Sequence, residues 1–315
     1  MKILHLKNIF PNSPAARYNL AVWQKSEDGT LSFIGREVTQ AGKAGEPDTG
    51  ILKLFEMSNT GEIVREKVLW KPLYDGINLE DPRALLLPND TLIIGVTAVV
   101  RNKKGEPVPF PAIVKIDSIH SWMEQLPPFL FIDTFGPGKN ITPIDNTTYL
   151  FRPEPLDYHH KILVFSLRSQ IAEKIGDIEF PTNLPWASFR VGTAMPPIWL
   201  SETEALLIFH GITIEMINGH PKYVYTIGRS KLIRKDNVFT IVVAPEPIVT
   251  PDDFLNSEGK PLVQELHPEL RRVVYSCGGI VKKDSKDILS LYVNVGDRTT
   301  FNVEFSLHEL KEGLF

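Results

Sequence analysis

Short apolar runs recur along the whole chain, each roughly four to eight residues long, rich in Val, Ile, Leu, Phe and Tyr, and closed off by Gly, Pro, Asn or Asp. Runs of that length between turn formers read as β-strands. Leu20 to Gln24, Gly50 to Phe55, Ile63 to Leu69, Leu92 to Val100, Tyr149 to Arg152, Lys161 to Leu167, Ala205 to Ile214, Tyr223 to Ile227, Val238 to Val243, Arg272 to Ser276, Ile288 to Val295 and Phe301 to Leu307 fit the pattern. Helical periodicity is nearly absent, the best stretch being Ser118 to Gln125. An all-β chain of 315 residues must hide many strand edges, which leaves a sandwich, a closed barrel or a propeller. Length favours the propeller, and strand clusters at roughly 50 to 65-residue intervals correspond to about five four-stranded blades. No linker or shift of composition divides residues 1–315, so a single domain is expected.

Composition narrows the function. With 43% hydrophobic residues the chain can bury a large core. The net charge is only -4, and Lys and Arg are scattered, so nucleic acid is not an expected partner. The one cysteine, Cys277, rules out an internal disulfide and argues against a Cys-based zinc site. No apolar run approaches the ~20 residues that cross a bilayer, and Met1 to Lys7 lacks a signal-peptide core, so no membrane association and a cytoplasmic location are expected.

The densest cluster of chemistry is Asn78-Leu79-Glu80-Asp81-Pro82-Arg83, just ahead of the strand-like Thr91 to Val100. Two acids and an arginine around a proline form either the acid side of a sugar-processing site or a capped turn with an Asp81–Arg83 ion pair. Other signals are weaker. Adjacent His159 and His160 would point to opposite faces of a strand and share no metal. Gly136-Pro137-Gly138-Lys139-Asn140 lacks the length and the Ser or Thr of a phosphate-binding loop and reads as a turn. Cys277 reads as a buried inert thiol. Trp23, Trp186, Trp199 and Tyr292 are expected in the core rather than against a sugar ring.

Taken together with other short strings, this cluster resembles glycoside hydrolase family 130, the five-bladed propeller enzymes that include β-mannoside phosphorylases. Glu80-Asp81-Pro82-Arg83 is similar to the family's signature. Tyr18-Asn19 with Arg36-Glu37, Arg152-Pro153, Trp186 through Arg190-Val191-Gly192 to Ile198, His210-Gly211, Glu265, Val274 to Gly278, and Tyr292 through Asp297 follow in the same order. Departures are Asn19-Leu20 where many relatives have Asn-Pro, Arg190 where they have Lys, and the region around Pro268.

The resemblance implies a five-bladed β-propeller that cleaves β-mannosides or manno-oligosaccharides with inversion. Phosphate would be a co-substrate, the product α-mannose 1-phosphate, and no metal or organic cofactor would be needed. Asp81 would donate the proton, relayed through a sugar hydroxyl, while Arg152, Arg190 and His210 would hold phosphate. Protonation of His210 would favour the phosphate dianion. Asn19, Arg36, Glu80, Arg83, Glu265 and Asp297 would contact the sugar. An inverting β-mannosidase on the same fold and a non-catalytic carbohydrate-binding or scaffold propeller are the alternatives. A homo-oligomer is left open.

Overall fold

The computed structural model describes residues 2–23, 30–43, 46–58, 60–72, 77–117, 128–217, 219–236, 238–268, 271–282, 285 and 287–315; the expected helix at Ser118 to Gln125 lies outside them. A short β1 (His5–Asn8) is followed by β2 (Arg17–Trp23), β3 (Leu31–Gln40), β4 (Thr49–Met57) and β5 (Ile63–Trp70), which form the first antiparallel blade. The second contains β6 (Ile77–Leu86), β7 (Leu92–Arg101), β8 (Pro107–Ile116) and β9 (Leu130–Phe131), and the third β10 (Gly138–Pro143), β11 (Thr148–Pro153), β12 (Lys161–Arg168) and β13 (Ile171–Glu179). The fourth is built on β14 (Arg190–Thr193), β16 (Glu204–Ile217), β17 (His220–Lys235) and β18 (Val238–Val243), with β15 (Ile198–Trp199) and β19 (Arg271–Arg272) at its margins. The fifth orders β20 (Val274–Val281), β21 (Ile288–Val295) and β22 (Thr299–Ser306), and β1 adds to it as the outermost strand. The helix α1 (Leu307–Lys311) ends the chain's regular structure. Contacts of β2 with β6, β6 with β10, β10 with β14 and β20 with β2 arrange the blades as a five-bladed β-propeller, as the sequence implies.

Side-chain alternation explains why the middle strands read as unbroken apolar runs. Successive residues face opposite sides of a strand, and each blade is sandwiched between two others. Along β16, Ala205, Leu207 and Phe209 pack against the third blade while Leu206 and Ile208 pack against the fifth. Along β7, Leu92, Ile94, Val96 and Ala98 face the first blade and Ile93 the third. The hydrophobic core is therefore divided into clusters between neighbouring blades, and it leaves the axis free for polar side chains.

Candidate active site

The innermost strands of the first three blades break register at one level. β2 shifts between Tyr18 and Ala21, β6 between Glu80 and Arg83, and β10 between Lys139 and Thr142. Within each break one residue takes a left-handed backbone: Asn19 (φ 61°), Asp81 (φ 54°) and Asn140 (φ 61°). Asn and Asp tolerate that conformation better than other non-glycine residues. A bulge re-aims a side chain, so three short polar groups are placed where the blades converge. Asp81 thus lies inside a strand and not in a turn, and its carboxylate is not paired with Arg83.

Asp81 is 9% exposed and accepts a 2.6 Å hydrogen bond from Asn19 Nδ2. Asn19 is itself fixed: its Oδ1 accepts from Tyr275 Oη at 2.5 Å and from Asn294 Nδ2 at 3.1 Å, and its N–H donates to Asn294 Oδ1. Arg83 is fully buried, and its guanidinium donates to the carbonyls of Asp81 (2.8 Å) and Thr193 (3.0 and 3.2 Å). These bonds tie the second blade to the fourth. Asn19 and Arg83 were expected to contact sugar, but both lie outside the lining of the central cavity because backbone and neighbouring side chains already use their hydrogen-bonding groups.

Above this floor opens a cavity of about 490 Å³. Asp81, Arg36, Glu80, Arg152, Arg190, His210 and Asp297 line it, brought together from widely separated segments. Glu265 does not. It lines a separate cavity, where Oε1 accepts the Val273 N–H at 3.3 Å and its side chain packs beneath Gly296. There it lies against the turn that carries Asp297.

One side of the cavity is basic. Arg152 and Arg190 bond to the same acid, Glu154, at 3.1 and 2.8 Å. Burial weakens the charge of Arg152, and Arg190 opposes it further. Glu154 would be raised by burial, but the two arginines hold it below its ordinary value. Arg190 also donates to His159 Nε2 at 2.9 Å; burial and Arg190 lower the affinity of His159 for a proton, so it remains an acceptor. His160 Nε2 lies 3.3 Å from the Ser188 carbonyl; the two histidines sit in a turn ahead of β12, so strand alternation does not set their directions. His210, 3% exposed, lies with Nε2 3.1 Å from the Asn140 amide nitrogen. Burial, then Arg152 and Arg83, push His210 well below the usual histidine range, against the direction that protonation would require. With Nε2 accepting from Asn140, the proton resides on Nδ1, which has no hydrogen-bond partner among the described residues.

The opposite side carries paired charges suited to hydroxyl groups. Arg36 Nη1 lies 3.5 Å from Glu80 Oε2 and donates to Tyr18 Oη at 3.2 Å, and its Nη2 donates to the Asp48 carbonyl. Burial opposes the charge of Arg36, but Tyr18, Glu80 and Asp48 outweigh it and raise its proton affinity. Lys139 approaches Glu80 at 3.8 Å, and Glu80 strengthens its positive charge. Glu80 Oε1 is buried without a hydrogen-bond partner among the described residues. Asp48 pairs with His267 at 3.0 Å, and Asp297 with Arg271. Tyr225 and Tyr275 flank His210, with ring centres 6.1 and 6.0 Å from it.

Sequence reading missed Lys139, Asn140, Glu154, Asp48, Tyr225, Tyr275, His267 and Arg271. The Gly136 to Asn140 segment, read as a turn, enters β10 at Gly138 and delivers both Lys139 and Asn140 to the cavity. The usable signal was positional: Asn140 is the third-blade counterpart of Asn19 and Asp81. Trp23, Trp186, Trp199 and Tyr292 all pack in or against the core. Cys277 is buried, and burial pushes its thiol up to about 12. Among the described residues no three His, Cys, Asp or Glu side chains converge as a metal cradle, and no helix is long and apolar enough to cross a membrane.

No protein-family model matches the chain, and no curated protein matches it in sequence. Solved structures do. A β-1,2-mannobiose phosphorylase from Listeria innocua, in complex with β-1,2-mannobiose, superposes with a TM-score of 0.62 at 14% identity, covering 100% of this chain and 95% of that one. A mannose phosphorylase from Leishmania mexicana, in complex with phosphate ion, gives 0.56 at 17% identity over 93% and 84%. The chain has their fold. A further match comes from the family 130 of mannoside phosphorylases, which contains glycoside hydrolases that target β-1,2-mannosidic linkages in Candida mannan; it gives 0.57 at 13% identity over 93% and 84%. The resemblance to family 130 noted in the sequence therefore holds for the fold along nearly the full chain.

Proposed function

We propose that the protein is an inverting phosphorylase that cleaves β-mannosides or manno-oligosaccharides with inorganic phosphate and releases α-mannose 1-phosphate. The observation that carries the reading is the convergence of two arginines on one carboxylate, in the same cavity as Asp81. Two guanidinium forks that share a carboxylate can share the oxygens of a phosphate. Phosphate is already an anionic nucleophile, so the protein needs to position it and stabilise charge rather than activate it.

Departure of the aglycone oxygen requires a proton. Asp81 supplies it through a sugar hydroxyl, while Asn19 fixes the orientation of its carboxylate. Arg36, Glu80 and Asp297 offer donors and acceptors to vicinal hydroxyls. The mannoside phosphorylase neighbours support the choice of sugar and of phosphate. A hydrolase would instead need a carboxylate to activate water. Glu154 is the acid beside the basic cluster, and its lowered proton affinity makes it a weak base, which favours phosphate over water.

The test is release of mannose 1-phosphate from β-1,2- and β-1,4-mannosides, with and without phosphate, by the parent protein and Asp81→Asn. The variant should lose roughly 10²- to 10⁴-fold in turnover while it still binds the sugar. Free mannose without phosphate would make the protein a mannosidase, and an Asp81→Asn variant as active as the parent would remove Asp81 from the mechanism.

A further inference from the structure

Arg152 and Arg190 come from adjoining blades, and Glu154 is the group that joins them. It directly follows β11, and its backbone is tied on both sides: its N–H donates to the Pro137 carbonyl at 3.0 Å, and its carbonyl accepts from Arg190 Nη2 at 3.3 Å. Its carboxylate spans the two guanidinium groups, one oxygen on each. The side chains differ in exposure. Those of Arg152 and Arg190 are 7% and 14% exposed, whereas that of Glu154 is 30% exposed. Glu154 is therefore the most solvent-exposed member of the trio.

Two guanidinium groups brought this close under cover repel each other and need an anion. Glu154 provides one from the chain itself. Its charge leaves the trio at a net single positive charge; a phosphate dianion in its place brings the two arginines to neutrality. The same two forks cannot give all their hydrogen bonds to both occupants at once.

We propose that Glu154 is a built-in occupant of the phosphate seat, which holds Arg152 and Arg190 in place in the free protein and is displaced by inorganic phosphate on binding. The inference rests on the phosphate-using reading above. Glu154 then sets the phosphate concentration at which the site fills, and it keeps neutral molecules from taking the seat. It is a positioning residue: it acts on the nucleophile through the arginines.

The experiment is titration calorimetry of inorganic phosphate into the full chain, as the parent, Glu154→Gln and Glu154→Asp. Glu154→Gln removes the competing charge and should bind phosphate about tenfold tighter. Glu154→Asp keeps the charge but is one methylene short of spanning both arginines, and should gain part of that. Without phosphate the Gln variant should melt below the parent, and saturating phosphate should close the gap. Phosphate binding no tighter than the parent's in Glu154→Gln overturns the proposal. So does loss of phosphate-independent mannose release in that variant at unchanged phosphate affinity, which would make Glu154 a water-activating carboxylate. Tighter phosphate binding with no mannose 1-phosphate formed from any mannoside supports the displacement and overturns the phosphorylase reading instead.

Discussion

His210 ends an apolar run on β16 and yet faces the cavity, which is why its sequence context alone pointed to the core. Its burial has a thermodynamic consequence. The folded protein holds His210 well below 6.5, whereas the unfolded chain takes up the proton near that pH. Below pH 6.5 the unfolded state therefore binds more protons, and stability falls as pH drops. Above it the contribution is fully present. Urea unfolding on the two sides of pH 6.5 should reveal a slope that His210→Gln flattens by up to about 1.4 kcal/mol per pH unit. An unchanged slope in the variant would mean that His210 titrates in the folded protein as it does in the unfolded chain. The residue scale was otherwise partly legible. Asp81 and Glu80 stand out because acids flank a proline beside an apolar strand. Arg83 was read as a sugar contact because sequence does not distinguish a guanidinium spent on carbonyls from one facing a ligand.

At the scale of elements, middle strands such as β7, β12 and β21 were legible because both faces are buried and the runs are continuous. Strand β8 was not, because Pro107, Pro109 and Pro111 interrupt it. These prolines alternate opposite Arg101, Val99 and Thr97 of β7, and β9 begins to pair only at Ala112 and Ile113, so the missing N–H groups take no bond from the sheet. Of the innermost strands, β2 and β20 were read only in part and β6, β10 and β14 not at all; in β2, β6 and β10 bulges break the period of two where function is concentrated. Gly192 on β14 illustrates the tolerance there. A Cβ at this position would collide with Asn140 Nδ2 and lie 2.6 Å from His210 Nε2. Gly192→Ala should therefore push the Asn140–His210 pair aside and raise the phosphate requirement of turnover about tenfold or more, since small misplacements in a positioned site are costly. Its unfolding midpoint should change far less than its phosphate dependence. A variant with parental phosphate dependence would show that the pair does not contact the nucleophile.

On the scale of the molecule, the ring is closed by β1, which pairs with β22 from the far end of the chain. A four-residue strand with one apolar side chain, Leu6, gave no sign of this, because an outermost strand carries little hydrophobic pattern. The closure bears on chemistry as well as on stability. Ile9 and Phe10, just after β1, pack with Leu20, Phe33 and Tyr292 between the first and fifth blades. The same junction carries Asn19 of the first blade bonded to Tyr275 and Asn294 of the fifth, and Asn19 orients the carboxylate of Asp81. Opening the ring at β1 should thus loosen the proton donor together with the fold. Removing residues 2–10 exposes the apolar cluster between the first and fifth blades and frees the edge of β22; two buried side chains alone are worth roughly 3 to 6 kcal/mol. Phe165→Ala, between the second and third blades, serves as the comparison, because it costs a similar roughly 3 to 5 kcal/mol without touching the Asn19 network. At temperatures where both proteins remain folded, the truncated chain should lose turnover and Phe165→Ala should retain it, and a peptide of residues 2–10 added in trans should restore part of the loss. Equal turnover in the two would mean that the junction contributes stability alone and that Asp81 is oriented from within its own blade.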